Sequence, residues 1–147
     1  MENSFLYFGY GSGLNPTLVE FRINAPVEIL CQGELRNYAF RFNRKNPDGS
    51  ARGNLQPIEN EYTLGLLYQI HKNKFEQLAD TEPEYVLQEF DIVTKKETLK
   101  AFAFICNHCE NNIHPLEKYV NGIIADANSH HFPEEYILKI KRQIQAK

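Results

Sequence analysis

The first apolar run of the chain, Phe5-Leu6-Tyr7-Phe8, is short and aromatic and predicts a buried strand. Gly9-Tyr10-Gly11-Ser12-Gly13 follows, a stretch where the backbone can turn tightly or approach a ligand closely. Asn15-Pro16 then has the form of an N-cap with proline at the first helical position, leading into Thr17-Leu18-Val19-Glu20-Phe21. Between Val27 and Phe42 the apolar residues alternate (Val27, Ile29 and Cys31, then Tyr38, Phe40 and Phe42), which predicts one or two half-buried strands. Residues 43–61 are polar, with Pro47-Asp48-Gly49 as a turn, and read as a long connection of a functional or mobile kind. Residues 63–70 predict a third strand, in which Gly65 marks a close backbone approach. Phe75, Leu78 and Ala79 stand at helical spacing, and residues 85–93 and 99–105 read as a hairpin around Lys95-Lys96-Glu97. Pro115 opens a helix with a stripe of Leu116, Tyr119, Val120, Ile123 and Ala127. Pro133 opens another with Tyr136, Ile137, Ile140 and Ile144 on one face and Lys139, Lys141 and Arg142 on the other. Strands first and paired helices last predict an α+β fold, with residues 1–147 forming one domain.

Composition narrows the function. A net charge of −3 supplies no cationic field for nucleic acid or an anionic membrane. No window approaches the length of an apolar membrane span, and the start of the chain lacks the basic and apolar segments of a secretory signal. Three cysteines, an odd number, suit a reducing compartment better than a disulfide framework, so a cytoplasmic protein is expected.

Three stretches carry candidate chemistry. In Gly9-x-Gly11-x-Gly13 the third glycine comes two positions after the second, where a dinucleotide fingerprint needs three, and no β-α-β rhythm follows. A tight structural turn remains, or a cradle for an anion or carboxylate to which Tyr7, Tyr10 and Ser12 add hydroxyls. Asp80-Thr81-Glu82-Pro83-Glu84-Tyr85 reads either as a solvated acidic loop or as the setting of one glutamate that shuttles a proton. The second role needs a partly apolar environment, which Leu78 and Tyr85-Val86-Leu87 are placed to supply. Cys106-Asn107-His108-Cys109 invites zinc or redox chemistry, but a second cysteine pair is missing and the motif ends a strand instead of starting a helix. Cysteines at a hairpin end are the plainer reading, and His130-His131 fill the loop between the last two helices. Ser12 has no nucleophile elbow or legible triad, and the basic residues Arg36, Arg41, Arg44, Lys45 and Arg52 read as a solvated rim.

Taken together, these residues resemble the γ-glutamylcyclotransferase family. Its strand and turn Y-F-x-Y-G-S-N-L is matched by Tyr7-Phe8-Gly9-Tyr10-Gly11-Ser12-Gly13-Leu14, and its glycine-containing strand by Tyr62-Thr63-Leu64-Gly65-Leu66-Leu67-Tyr68. Its L-D-x-x-E is similar to Leu78-Ala79-Asp80-Thr81-Glu82, with the acid displaced by one. The tail resembles the animal-type P-x-x-x-Y-x-x-x-I at Pro115 to Ile123 and L-P-x-x-Y at Phe132-Pro133-Glu134-Glu135-Tyr136. The resemblance implies a small mixed-sheet barrel with surrounding helices. It also implies an enzyme that cyclises a γ-glutamyl group to 5-oxoproline and releases the attached amino acid or amine. The substrate's own amine is the nucleophile in that reaction, so no cofactor or metal is implied. By the same resemblance Glu82 is the general acid/base, and Tyr7, Phe8, Gly9, Tyr10, Gly11, Ser12, Tyr85 and Tyr119 bind substrate. The partner implied is a small γ-glutamyl molecule, without nucleic acid or membrane, and a homodimer is admitted.

The sequence departs from the pattern at four points. Gly13 replaces an asparagine, Pro83 replaces a glycine after Glu82, the step from Glu82 to Tyr85 is short, and Arg52 stands at an aromatic position. A chain with these departures also fits a γ-glutamyl binding module without turnover, or a related enzyme acting on glutathione or γ-glutamylamines.

Overall fold

The computed structural model describes residues 3–145. The aromatic run forms β1 (Ser4–Gly9), and a single 3-10 turn, Ser12–Leu14, follows it. Helix α1 (Pro16–Ile23) starts as the sequence predicts, with the Asn15 side chain accepting from the Leu18 N–H and proline at the helix start. It ends on Asn24, which takes the left-handed conformation (φ 52°). Then come β2 (Glu28–Lys45), β3 (Ala51–His71), α2 (Phe75–Asp80), β4 (Val86–Val93) and β5 (Thr98–Ile105). Helices α3 (Glu117–Ser129) and α4 (Glu134–Gln145) complete the chain.

The five strands close into a barrel in the order β1-β3-β2-β4-β5. Neighbours are antiparallel except β1 and β5, which meet in parallel at Tyr7 and Phe102. This is the small mixed-sheet barrel with surrounding helices that the resemblance implies.

The polar stretch 43–61 is not a loop. It forms the distal arms of a long β2–β3 hairpin, with only residues 46–50 in the turn, where Asp48 accepts from the Ser50 N–H and hydroxyl. Polarity misleads here because the polar groups are paired inside the fold. Asn54, fully buried, donates to the Asn43 side chain (3.1 Å) and the Cys106 carbonyl (2.7 Å), and accepts from the Cys106 N–H (2.9 Å). Pro57 is accommodated beside a bulge at Arg36/Tyr38, where Asn37 and Asn60 adopt positive φ and bend the ribbon.

Gly65 is the close approach that its place in the sequence predicts. A Cβ there would lie 2.6 Å from the Gly9 carbonyl oxygen and 2.7 Å from the Phe8 ring, so β1 packs this closely against β3 only because Gly65 lacks a side chain. The helices bury Val120, Ile123 and Ala127 from α3 and Tyr136, Ile137 and Ile140 from α4 against the barrel. Leu116 and Ile144 leave the predicted stripes. Leu116 is the extended N-cap outside α3, Ile144 lies in the last turn of α4, and both are exposed. Among the described residues, no helix is long and apolar enough to cross a membrane.

Candidate active site

The tight turn after β1, the start of β3, the turn between α2 and β4, and the first turn of α3 converge on one cavity of about 40 Å³. Its lining includes Tyr7, Tyr10, Gly11, Ser12, Glu82, Tyr85 and Tyr119, which are seven of the nine residues that the sequence singles out. Phe8 and Gly9 do not line it. Phe8 points into the core, and Gly9 packs against Gly13, whose carbonyl oxygen would sit 2.5 Å from a Cβ at Gly9. Both shape the turn without facing the cavity. A larger hollow of about 680 Å³ lies beside Leu30, Leu99 and His130, but it lacks the buried carboxylate and converging hydroxyls of the smaller one.

Local structure fixes each group. Glu82 follows the end of α2, where its N–H bonds the Ala79 carbonyl (3.3 Å) and its own carbonyl accepts from the Tyr85 N–H (3.0 Å). That tight turn buries Glu82 while leaving Asp80 and Glu84 exposed, so a solvated loop and a buried glutamate coexist in one acidic cluster. The two cavity tyrosines from α3 and the α2–β4 turn are both held by Gly53. Tyr85 donates to the Gly53 carbonyl (2.7 Å), and the Tyr119 hydroxyl accepts from the Gly53 N–H (2.9 Å). Tyr10 donates to the Phe104 carbonyl (2.7 Å).

Burial pushes the Tyr7 phenol up to about 12, with Arg22 pulling it down and Glu82 pushing it up. Burial likewise raises Tyr10, Tyr85 and Tyr119 above the ordinary tyrosine value. The phenols therefore stay protonated at neutral pH.

The setting of Glu82 differs from the apolar one that the sequence suggests. Val86 is exposed, and the carboxylate instead accepts from Arg52 on one oxygen and lies 3.5 Å from Arg22 on the other. Burial works against the charge of Arg52, but the hydrogen bond and charge of Glu82 hold its pKa above the ordinary value. Arg52 also lies over the Tyr85 ring, 5.1 Å from its centroid, and Arg22 donates to the Ser12 hydroxyl (3.0 Å). Gly13, Arg22, Arg52, Gly53 and Phe104 are the cavity residues that sequence reasoning did not assign to the site. For Arg52 and Arg44 the solvated-rim reading fails: they face each other across β2 and β3, and they pair with Glu82 and Glu84 respectively. The signal available was the alternation of Glu82 and Glu84 with Pro83 between them, which matches two arginines at one sheet position only once the register is known.

Cys106 and Cys109 lie in the segment that follows β5, in keeping with the plainer reading. Cys106 is buried, Cys109 is exposed, and both belong to the Asn54 network.

At the level of sequence, no protein-family model and no curated protein matches this chain. Solved structures do. A protein described as a gamma-glutamyl cyclotransferase superposes with a TM-score of 0.85 at 20% identity, over 94% of this chain and 86% of its own. The chain has the γ-glutamylcyclotransferase-like fold. A human protein described as uncharacterized matches at TM-score 0.85 and 21% identity, over 95% of this chain and 87% of that one. A yeast gamma-glutamyl cyclotransferase described as specific to glutathione matches at TM-score 0.68 and 13% identity, over 98% of this chain and 96% of its own. The γ-glutamylcyclotransferase-like fold thus extends over nearly all of the chain, in agreement with the resemblance carried by the turn, the acidic cluster and the tail.

Proposed function

We propose that the cavity binds a γ-glutamyl compound and cyclises it to 5-oxoproline, releasing the attached amino acid or amine. The observation that carries this reading is a single buried carboxylate, Glu82, sharing one small cavity with the Tyr10–Ser12 turn and its glycine neighbours. Glu82 takes a proton from the substrate's α-ammonium, and the freed amine attacks its own γ-carbonyl carbon. A C–N bond forms and negative charge develops on the carbonyl oxygen. Glu82 returns its proton to the leaving nitrogen, the second proton of the attacking nitrogen follows to the same group, and the C–N bond to the leaving group breaks to give the lactam and a free ammonium. The Ser12 and Gly13 N–H groups precede the first hydrogen bond of the 3-10 turn and so have no acceptor within it. They are available to the substrate carboxylate or to the developing oxyanion. Every bond-making group is the substrate's own or Glu82.

The test is release of 5-oxoproline from γ-glutamyl dipeptides by wild type and by Glu82→Gln. The expected loss is about 10²-fold or more, the scale of a general base. An unchanged rate in the variant removes Glu82 from the chemistry. Side-by-side assays on glutathione, γ-glutamyl-alanine and γ-glutamyl-lysine identify the leaving group.

A second reading is favoured by one feature, the engagement of both Glu82 oxygens by guanidinium groups. It is a binding module that holds a γ-glutamyl compound without turning it over. Thermal stabilisation by such a compound with no product is its signature, and turnover ends it.

A further inference from the structure

The cavity is cationic although the chain carries a net charge of −3. Its charged lining residues are Arg22, Arg52 and Glu82, so two guanidinium groups face one carboxylate. The remaining lining groups are glycines, a serine, a phenylalanine and four tyrosines. Their phenols remain neutral because burial opposes their ionisation. One positive charge is left uncompensated in a partly enclosed site, where such a charge acts strongly on a ligand.

Neither guanidinium is saturated. The Arg52 side chain is 27% exposed and donates one bond, to Glu82; Arg22 is 18% exposed and touches the Ser12 hydroxyl and Glu82. Each guanidinium has several N–H donors in a planar fork that matches a carboxylate. Arg52 also occupies a position where the animal-type pattern has an aromatic residue, so it adds a charge that this pattern lacks.

We propose that Arg22 and Arg52 form an anion subsite that takes a carboxylate of the bound ligand. When the α-ammonium of a γ-glutamyl ligand reaches Glu82 it replaces the Arg52 guanidinium there, and Arg52 turns to the ligand's carboxylate. The exchange conserves ion pairs and leaves no buried charge alone, which is the condition for a charged ligand to enter such a site without a large desolvation cost. Two carboxylates can fill the role, the α-carboxylate of the γ-glutamyl group or one on the leaving group, and the experiment separates them. The ammonium half of the exchange rests on the γ-glutamyl reading; the carboxylate half does not.

The experiment is calorimetric binding of γ-glutamyl-glycine, its α-amide, its glycinamide counterpart and the simple dicarboxylate glutarate. The proteins are wild type, Arg52→Met, Arg22→Met and Arg52→Lys, each checked for folding by circular dichroism. Loss of either guanidinium is expected to weaken γ-glutamyl-glycine binding by about 10–100-fold, on the scale of a charge-assisted hydrogen bond, with Arg52→Lys recovering part of it. Capping the carboxylate that binds is expected to weaken wild type by a similar factor and to abolish the further effect of Arg52→Met. Capping the other carboxylate leaves that effect intact. Equal weakening of all ligands by Arg52→Met, or no weakening, overturns the subsite, as does failure of wild type to bind any of the four. Glutarate binding that depends on Arg52, without binding of any γ-glutamyl ligand, upholds the subsite and sinks the γ-glutamyl reading. Assay of 5-oxoproline on the same samples reads turnover separately.

Discussion

Gly53→Ala ties the fold to the site most directly. A Cβ at that position would lie 2.4 Å from Cε1 and 2.9 Å from Cζ of Phe40, and 3.2 Å from the Tyr119 hydroxyl. Phe40 cannot swing away cheaply, because its buried ring is wedged edge-on between Tyr10 (5.8 Å) and Phe42 (5.0 Å). The backbone cannot retreat either without stretching the bonds from Gly53 to Tyr85 and Tyr119. Overpacking of this kind costs about 1–3 kcal/mol, and weakening two hydrogen bonds adds about 1 more, giving a loss of roughly 2–4 kcal/mol. For a chain of this size each kcal/mol moves the melting temperature by about 2–4 °C. Urea denaturation gives the free energy, and the 5-oxoproline assay is expected to fall in parallel as Tyr85 and Tyr119 shift. Adding Phe40→Leu, which clears the clashing ring, is expected to recover part of the loss relative to the sum of the single changes. Stability of Gly53→Ala within about 0.5 kcal/mol of wild type would falsify the packing argument.

Other expectations follow from single contacts. Asn54→Ala removes a fully buried hub and strands the Cys106 N–H and carbonyl, so a loss of about 2–4 kcal/mol is expected in the same urea assay. Asn15→Ala removes the N-cap of α1 and is expected to cost about 1 kcal/mol; no change would mean the cap is satisfied otherwise. Burial raises the Tyr7 pKa from 10.0 to about 12, so the unfolded chain releases this proton first. Stability from this group is complete below pH 10 and falls as pH rises toward 12, by up to roughly 1.4 kcal/mol per pH unit. Tyr10, raised by burial as well, acts in the same direction. Tyrosinate absorbance should therefore appear together with unfolding, and full ionisation of a still-folded protein near pH 10 would contradict it.

Local chemistry settled much of this protein before any tertiary contact was known. Asn15-Pro16 has the form of a helix start, the aromatic run before the glycines that of a strand, and the two tail helices are written in apolar stripes that bury up to Ala127 and Ile140. Those features depend on neighbours a few residues away, which is the range over which propensity, capping and periodicity act. The family resemblance carried by the turn, the glutamate and the tail, and not local propensity, pointed to seven of the cavity residues. What the chain could not show locally were facts of register and closure. Residues 43–61 looked like a loop because the partners of Asn43, Asn54 and Gln56 are supplied across the hairpin and by β5, and polarity alone does not say where a hydrogen bond ends. Arg52 looked like a solvated rim because Glu82 is thirty positions away in sequence and meets it only when β3 passes the end of α2. The sign of the site's charge is therefore a tertiary property. It comes from bringing Arg22, Arg52 and Glu82, drawn from three separate elements, into one partly enclosed space.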